Sequence, residues 1–513
     1  MSFLMEFALA LALLLVWTNQ SVGLPKRNYD NVRKQILEYE RTLMFGGNLE
    51  LNDVEEEANK VLMEAKRKEL KFGLFSFFSF RAFENPHSYL PGRNFINAKK
   101  DIEKSEVYKK ILRMPKGAVL HSHDTAIVSS DFIYHNITFR ENFYICDKNG
   151  TLSAQFFHEP NAECNWELLS EVRKDRKRSE QINKRIMKQM TMICENPDEE
   201  YTTIDKAWQK FMDIFMFVTP ILTFKPVFED HFYRGLEELY EDNIMYLEVR
   251  TTMPKLYDLN GTIYKPYEVV ELSLTFCRFI KDHRDFQGVK VIYAPMRLVN
   301  RETATEYLEI MVELQKEYPD IMAGFDLVGQ EDKGQTLKYF ADVLLKANPN
   351  ISFFFHAGET NWYGMDTDEN IIDAILLNTR RIGHGYALDY HPFLLEIAKR
   401  NNIAVEVNPI SNQVLKLVSD MRNHAARRLF AGDYPVVISN DDPGLWGGRA
   451  LSYDFYEAFM GLMSAHSDLR ALKQLAQNSL LYSSLNNEEK KLALRNWKNK
   501  WNDFVKALAN KEF

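Results

Sequence analysis

The sequence predicts an α/β protein whose main domain is a closed (β/α)8 barrel of the TIM type. Helical stretches alternate with eight short apolar segments from about residue 117 onward. These segments are 118–124, 244–250, 289–296, 322–329, 352–359, 381–386, 404–409 and 436–444. Such alternation indicates a parallel sheet, and eight units favour a closed barrel over an open sheet. A doubly wound sheet is the alternative, but no Gly-x-Gly-x-x-Gly motif follows any segment.

Composition indicates a globular chain that does not bind nucleic acid. Of its 513 residues, 45% are hydrophobic and 27% are charged, which is ordinary for one large domain or a few smaller ones. The formal net charge is -8. Because there is no basic excess to neutralise a phosphate backbone, we expect no nucleic-acid partner.

The N-terminus predicts secretion. Residues 7–17 form an apolar run, and the small residues Ser21 and Gly23 follow before the chain becomes polar at Lys26. This order is typical of a signal peptide, here residues 1–23, and predicts an extracellular protein. A membrane-anchoring or buried helix is the alternative, although the run is too short to cross a bilayer. No second long apolar run follows, so we expect no membrane span.

Sequons and cysteines agree with secretion. Four Asn-x-Ser/Thr sequons of the mature chain are candidate glycosylation sites: Asn136, Asn149, Asn260 and Asn350. Cys146 and Cys164 lie in one polar segment, where we expect them to form a disulfide bond. Cys194 and Cys277 lie in helical, apolar contexts and are expected to be buried free thiols.

The chain divides into a helical N-terminal region and the barrel. Residues 24–113 are polar and helix-prone, and their aromatic patch at 72–83 must be covered; we expect a subdomain that helps to form a homodimer. The barrel domain, 114–513, is interrupted at 136–200 by a polar surface insert. Its charge run at 173–178 is expected to be a solvated helix face.

Four potential metal ligands lie at the predicted carboxyl ends of the strands, where barrels place their active sites. His121 and His123 are two residues apart in a strand and therefore face the same side. His356 adds a third imidazole and Asp441 a carboxylate. This set suits one Zn²⁺ ion per subunit, with a coordination position left for water. A single histidine of this kind is more often a core or surface residue, but several at consecutive strand ends indicate a site.

Further strand-end residues indicate hydrolysis at an sp² carbon. Asp441 can orient a water molecule that zinc has acidified, and His384 is spaced to contact the same water. Glu359 can protonate a ring nitrogen of a substrate, which makes an adjacent carbon electrophilic.

Five motifs resemble those of the adenosine deaminase superfamily. They are Met114-Pro-Lys-Gly-Ala-Val-Leu-His-Ser-His123, His356-Ala-Gly-Glu359, Gly383-His-Gly385, Asn408-Pro-Ile-Ser-Asn412 and Ser439-Asn-Asp-Asp-Pro443. With the signal peptide, the long N-terminal extension and the insert, the chain is similar to the secreted branch, the adenosine deaminase-related growth factors. The resemblance covers nearly all of the mature chain.

The resemblance implies a role for each matching residue. The zinc ligands are His121, His123, His356 and Asp441. Glu359 matches the proton donor to purine N1, and His384 matches the residue that orients the attacking water. The implied substrate contacts are Asp124 to the ribose, Asp442 to purine N7, the backbone of Gly358 to purine N3, and Trp208, Phe211, Phe215 and Gly329. Without the family, Trp208, Phe211 and Phe215 are a helical stripe that more often belongs to a core.

Two departures limit what the resemblance implies about the sugar. Intracellular adenosine deaminases often carry His-x-His-x-x-Gly, whereas this chain has Ala126 at the last position. Met296 stands where a polar histidine is expected in the secreted branch. The preference between ribose and deoxyribose is therefore left open.

Three functions are compatible with the sequence. The main one is an extracellular zinc adenosine deaminase that acts on adenosine and 2′-deoxyadenosine and regulates growth by depleting adenosine. The second is a growth factor that binds a cell-surface receptor or a glycosaminoglycan and signals without catalysis. The third is another barrel hydrolase, such as an AMP or adenine deaminase, but no basic cluster for a phosphate lies among the strand-end motifs. The Pro-Cys-x-x-Cys motif of nucleic-acid deaminases is absent.

Overall fold

The computed structural model describes residues 26–75, 89–264 and 268–513. The predicted signal peptide, 1–23, lies outside these residues. The predicted aromatic patch, 72–83, lies outside the side chains that the structure describes.

Eleven strands are found in the described residues, and eight of them form the barrel wall. The strands are β1 (Gly117–His123), β2 (Phe143–Lys148), β3 (Thr151–Phe156), β4 (Glu167–Leu168), β5 (Ile244–Thr251), β6 (Gly288–Tyr293), β7 (Met322–Phe325), β8 (His356–Ala357), β9 (Arg381–His384), β10 (Ala404–Val407) and β11 (Val436–Ile438). Each of the eight predicted segments contains one parallel strand. The predicted α/β barrel is thereby confirmed.

The barrel closes through two four-stranded parallel sheets, ordered β1-β5-β6-β7 and β11-β10-β9-β8. Isolated parallel bridges join the sheets, one between Phe325 and Phe353 and the other between Ser122 and Asp441. The second bridge brings the end of the last barrel strand beside the first one. The closure of the barrel therefore places Asp441 next to His121 and His123.

The fifth barrel strand is shorter than its apolar run predicts. The predicted segment spans 352–359, but the regular strand is only β8, and Phe353 forms a single bridge. The amide of Phe355 donates to the side chain of Thr379 at 3.2 Å, not to a neighbouring backbone carbonyl, and this interrupts the ladder. The phenylalanines at 353–355 are nevertheless buried, because the bridge between Phe353 and Phe325 keeps the segment in the barrel wall.

Helices cover the barrel and form the N-terminal region. The longer helices are Lys26–Leu43, Asp53–Phe75, Phe95–Ile102, Glu106–Arg113, Arg176–Met190, Ile204–Leu222, Lys225–Glu241, Glu268–Asp282, Arg301–Glu317, Leu337–Leu344, Asn370–Leu376, Pro392–Arg400, Leu469–Leu481 and Asn487–Ala509. Shorter ones include Pro409–Val414 and Ser452–Glu457. In the described residues, no helix has both the length and the apolarity of a membrane span.

The N-terminal helices are joined to the C-terminal ones by buried polar contacts. The indole of Trp501 donates to Glu55 at 2.7 Å. Lys66 is fully buried, and its ammonium group donates to the carbonyls of Phe459, Ser464 and Ser467 at 2.9–3.0 Å. These contacts satisfy the groups that burial would otherwise leave unpaired.

The segment after β1 carries its own antiparallel sheet, ordered β3-β2-β4. A disulfide bond joins Cys146 and Cys164, as predicted. The expected solvated helix face at 173–178 is only partly correct, because the helix begins at Arg176. Arg173 precedes the helix, is partly buried, and donates to the carbonyl of Thr138 at 2.6 Å.

The prediction that Cys194 and Cys277 are buried is wrong, although both are free. Cys277 lies in the helix Glu268–Asp282, where the buried stripe runs through Leu272, Thr275 and Phe279 and leaves the thiol exposed. Cys194 lies outside any helix and is partly buried.

Candidate active site

Four predicted ligands converge at the carboxyl end of the barrel. His121 and His123 lie at the end of β1, His356 opens β8, and Asp441 follows β11. One nitrogen of each imidazole and one carboxylate oxygen lie within 4.8 Å of one another. His121, His356 and Asp441 are buried, and His123 borders the cavity described below. The four residues therefore surround one point.

The backbone of β1 holds Asp441 in place. The amide of Asp441 donates to the His121 carbonyl at 3.1 Å, and the amide of His123 donates to the Asp441 carbonyl at 3.0 Å. Asp441 adopts a φ of 57°, which is uncommon for a non-glycine residue. The hydroxyl of Ser411 donates to the Oδ2 atom of Asp441 at 2.7 Å. The surroundings thus impose a strained conformation, a feature that clusters at functional sites.

Two buried carboxylates that we did not predict orient the histidines. Glu406 Oε2 accepts from His121 Nδ1 at 2.7 Å, and Asp326 Oδ2 accepts from His356 Nδ1 at 2.6 Å. Arg250 donates to both carboxylates at 2.8 Å. Burial opposes ionisation of Asp326, but His356 and Arg250 outweigh it and hold its pKa below the usual range. A carboxylate inside a short apolar strand segment was the signal available in the sequence.

The donor set fits a cation. Because Nδ1 of His121 donates to Glu406, its Nε2 atom carries a lone pair. That atom is buried without a hydrogen-bond partner and faces Asp441 Oδ1 at 3.3 Å. His123 Nε2 lies 3.0 Å from the same oxygen. Lone pairs facing each other in a dry site repel unless a positive charge lies among them. Three imidazoles and a carboxylate are a typical zinc set.

Glu359 and His384 lie beside this point, as predicted. Glu359 Oε1 is 3.5 Å from His384 Nδ1, and His384 Nε2 is 3.8 Å from Asp441 Oδ2. Burial raises the pKa of Glu359 well above its ordinary value, and the negative charge of Asp441 adds to the rise. Burial lowers the pKa of His384 well below its ordinary value. Burial therefore favours the protonated form of Glu359 and the uncharged form of His384.

Glu331, which we did not predict, fixes the turn that carries Glu359. Its carboxylate accepts from the amide of Glu359 at 3.0 Å and from the amide of Gly358 at 3.1 Å. Gly358 has a φ of 76°, and a Cβ atom there would lie 2.5 Å from Ile371. The Gly358 amide thus faces Glu331, outside the lining of the cavity, and its contact to a substrate stays a prediction.

A cavity of about 270 Å³ opens onto these groups. Its volume is near the lower end of the ~300–1,000 Å³ typical of small-molecule sites. The predicted residues that line it are His123, Asp124, Trp208, Phe211, Phe215, Gly329, His356, Glu359, His384, Asp441 and Asp442. Thr125, Met212, Thr219, Thr252, Met296 and Val328 complete the lining. Of these six, the sequence drew attention only to Met296.

The aromatic stripe of the helix Ile204–Leu222 forms one wall. The Trp208 and Phe211 rings meet edge to face with centroids 5.1 Å apart, and Phe211 and Phe215 do so at 4.9 Å. Such a wall offers apolar contact to a flat ligand. The stripe therefore lines the cavity and also packs with the hydrophobic core.

Two further carboxyl groups of the cavity resist ionisation. Burial raises the pKa of Asp442 well above its ordinary value, and the adjacent Asp441 raises it further. Burial raises the pKa of Asp124 to about 6. Burial therefore favours the protonated form of Asp442, which can donate a hydrogen bond.

Comparison with known proteins identifies the family. The family model described as adenosine deaminase matches residues 186–499, and the one described as adenosine/AMP deaminase N-terminal matches residues 9–111. An adenosine deaminase of Phlebotomus duboscqi is 44% identical over 499 residues, which are 95% of this chain and 94% of that protein. The chain belongs to the adenosine deaminase family.

Other relatives place it within the adenosine deaminase family. Human adenosine deaminase 2 is 38% identical over 94% of both chains, and pig adenosine deaminase 2 is 41% identical over 93% of this chain and 94% of that protein. These relatives confirm the predicted enzyme class and support the adenosine deaminase 2-like branch.

Solved structures agree with the fold. An Arabidopsis protein, ADAL, complexed with IMP gives a TM-score of 0.56 at 17% identity, over 77% of this chain and 99% of that chain. An amidohydrolase from Burkholderia ambifaria with bound Zn gives 0.54 at 17% identity, over 79% and 95%. Adenosine deaminases are zinc-dependent, and the four-ligand set of this chain fits that ion.

Proposed function

We propose that this protein hydrolyses adenosine and 2′-deoxyadenosine to inosine and 2′-deoxyinosine with release of ammonia. The observation that carries this proposal is the presence of two buried carboxyl groups, Glu359 and Asp442, in the cavity that also borders the four-ligand site, where burial raises the pKa of both. A purine presents acceptors on both of its rings, N1 and N7. Two carboxyl groups whose protonated forms are favoured by burial suit that pattern.

His121, His123, His356 and Asp441 would hold the zinc ion. When bound there, zinc supplies Lewis acidity and lowers the pKa of a water molecule to roughly 7. Burial raises the pKa of Asp441, but the adjacent imidazoles of His121 and His123 outweigh burial and lower it well below its ordinary value, so the ionised carboxylate can accept a proton from that water. His384 Nε2, 3.8 Å from Asp441 Oδ2, is placed to orient the same water.

Glu359 is the acid of the reaction. Its proton passes to N1 of the purine, which draws electron density from C6 and exposes that carbon to the water oxygen. General acid assistance of this kind contributes about 10²–10⁴-fold to the rate. The proton that Asp441 accepted then passes to the amino group, which leaves as ammonia and restores the aromatic ring of the product.

The remaining contacts position the nucleoside. Asp442 donates to N7, and the purine lies against Trp208, Phe211 and Phe215. Asp124 accepts from a ribose hydroxyl. Met296 lines the same cavity and lies against Gly329, where an added Cβ atom would come within 3.1 Å of the methionine Cε. An apolar Met296 gives the sugar no hydrogen-bond partner there, which supports the acceptance of both ribose and deoxyribose.

The direct test is the decay of adenosine's ultraviolet absorbance with purified, zinc-loaded protein. Adenosine and 2′-deoxyadenosine should both be consumed, and AMP should not. Glu359→Ala serves as the matched inactive variant, because it removes the acid and leaves the four ligands in place. A zinc-loaded wild-type protein that is inert toward all three compounds would refute the proposal.

We also propose that the enzyme acts outside the cell as a homodimer. The disulfide bond between Cys146 and Cys164 supports an oxidising compartment. The asparagine of each of the four sequons is exposed, as glycosylation requires. The helix Lys26–Leu43 exposes Tyr29, Ile36, Leu37 and Leu43, which supports burial of this helix against a second subunit. Secretion of a protein whose mass falls on glycosidase treatment tests the extracellular location. The molecular mass of the protein in solution tests the homodimer.

A second candidate function is growth regulation, either by depleting adenosine or by binding a receptor or glycosaminoglycan at the cell surface. The antiparallel sheet and disulfide bond of the 136–200 segment, which lie outside the cavity lining, favour a binding role. Growth stimulation by Glu359→Ala protein would assign the effect to binding. Loss of growth stimulation in the Glu359→Ala variant would assign the effect to catalysis.

A further inference from the structure

A chain of three hydrogen bonds runs behind His384, away from the cavity. The backbone amide of Ala426 donates to His424 Nδ1 at 3.0 Å. His424 Nε2 lies 3.0 Å from Asn412 Oδ1, and Asn412 Nδ2 lies 3.0 Å from His384 Nδ1. The three side chains are buried, with exposed fractions of 3%, 0% and 3% in the order His424, Asn412 and His384. Each therefore depends on its neighbour for hydrogen bonding.

The direction of every bond in this chain follows from its first member. A backbone N–H can only donate, so His424 Nδ1 accepts and carries no proton. Burial lowers the pKa of His424 to about 3, and the neutral ring must therefore carry its proton on Nε2. That N–H donates to an oxygen, which fixes the carbonyl end of the Asn412 amide toward His424.

The amide nitrogen of Asn412 consequently faces His384. An amide N–H donates and cannot accept, so Nδ1 of His384 must be the acceptor. A neutral imidazole with an acceptor at Nδ1 has its proton at Nε2. The fixed donor at Ala426 thus determines the tautomer of a ring three hydrogen bonds away.

We propose that Asn412 and His424 are positioning residues that hold His384 in its Nε2-protonated tautomer. The inference rests on the function of His384 proposed above. It adds which partner donates in the hydrogen bond between His384 and the reacting water. The Nε2–H group, on the side of Asp441, donates to the reacting water and does not remove its proton. The proton of the water is left to the Asp441 carboxylate.

The chain also protects the proton of Glu359. The carboxyl oxygen Oε1 lies 3.5 Å from His384 Nδ1, close enough for a bare imidazole nitrogen to compete for that proton. Asn412 already donates to Nδ1 from 3.0 Å. The acid therefore remains available to the purine.

The discriminating variant is Asn412→Asp, which keeps the shape of the side chain and removes its donor. The ionised carboxylate introduced by this substitution still accepts from His424 but cannot donate to His384, so the His384 proton moves to Nδ1 and Nε2 becomes bare. We expect kcat for adenosine to fall about 10²-fold, the size of a lost proton-transfer contribution. KM and zinc content should stay within twofold of the wild-type values, because Asn412 neither lines the cavity nor belongs to the four-ligand set.

The pH profile separates this mechanism from a packing defect. Once protonated, the introduced carboxyl group regains an O–H donor for His384 Nδ1 and keeps a carbonyl acceptor for His424. The titratable groups that face the introduced carboxyl group are His384 and His424. Glu359 lies beyond them, with its Oε1 atom 3.5 Å from His384 Nδ1. We expect the ratio of variant to wild-type kcat to rise as pH falls through the pKa of the introduced carboxyl group.

Two companion variants complete the test. Tyr386→Phe removes a hydroxyl that donates to Leu417, in a ring that packs edge-on against His424, and should keep wild-type kcat. His384→Ala should lose activity; if it does not, the proposed function of His384 is wrong. If His384→Ala is impaired but Asn412→Asp retains wild-type kcat, or loses kcat equally at every pH, the positioning chain is refuted and the proposed function stands.

Discussion

The Oε2 atom of Glu406 lies 2.7 Å from Nδ1 of His121, with both side chains completely buried. Arg250 and Arg381 also donate to this carboxylate, at 2.8 Å and 2.5 Å. Burial opposes ionisation of Glu406, but the two arginines outweigh it and hold its pKa far below the usual range. Glu406 therefore remains an acceptor, and His121 must present Nε2 to the metal site. The orientation of His121 is therefore set by Glu406, a carboxylate that lies behind the zinc ligands and is not one of them.

Glu406→Gln is expected to weaken zinc binding about 10–100-fold, because the amide cannot hold His121 as strongly and removes the negative charge between two arginines. Competition with a graded chelator measures the change. Glu396→Gln, on an exposed helix position, is the control and should bind zinc as the wild type does. Equal affinity in both variants would show that Glu406 does not orient His121.

Trp208→Ala is expected to raise KM for adenosine roughly tenfold, since a lost stacking contact costs about 1–3 kcal/mol. Its indole lines the cavity and is 7% exposed. Met216→Ala lies on the same helix but is 75% exposed and should leave KM unchanged. Steady-state kinetics on both variants decide the point, and an unchanged KM in Trp208→Ala would place the purine elsewhere.

The activity should decline on the alkaline side because of Glu359. Its pKa is raised by burial and by Asp441, so the protonated acid persists above the range of an ordinary glutamate and is lost as pH rises through the shifted value. Glu359→Gln should lower kcat about 10²–10⁴-fold and abolish this limb. Profiles of kcat against pH test this, and a limb that survives the substitution belongs to another group.

His231 should make the protein sensitive to acid. Burial lowers its pKa to about 3 from an ordinary value of 6.5. Between these values the unfolded chain binds the extra proton, so stability is present above about pH 6.5 and is lost as pH falls toward 3. His231→Phe should reduce the slope of unfolding free energy against pH by up to about 1.4 kcal/mol per unit. His135→Phe, at an exposed position, is the control; equal slopes would exclude His231.

The barrel and its ligands could be predicted because both depend on local patterns. Eight apolar segments gave the strands, and spacing in two motifs gave His121, His123, His356 and Glu359. Strand ends could not be placed, because apolar runs extend beyond the regular strands, as at Phe353, which precedes β8.

The groups behind the site were missed for a different reason. A carboxylate such as Glu406 or Asp326 is informative only when the register shows which histidine it faces. Asn412 lay in a motif that the sequence singled out, but its partners Ala426 and His424 are brought to it by the fold. Cys277 was misplaced because an apolar stretch does not reveal which side of a helix is buried.

In the proposed reaction, deamination requires one zinc ion bound by His121, His123, His356 and Asp441. The most direct measurement is zinc titration of the metal-free protein, with adenosine turnover followed at each addition. Activity should rise linearly and level off at one zinc per chain, and Asp441→Asn protein should not recover. Full turnover before any zinc is added, or recovery by Asp441→Asn protein at the same stoichiometry, would contradict the account.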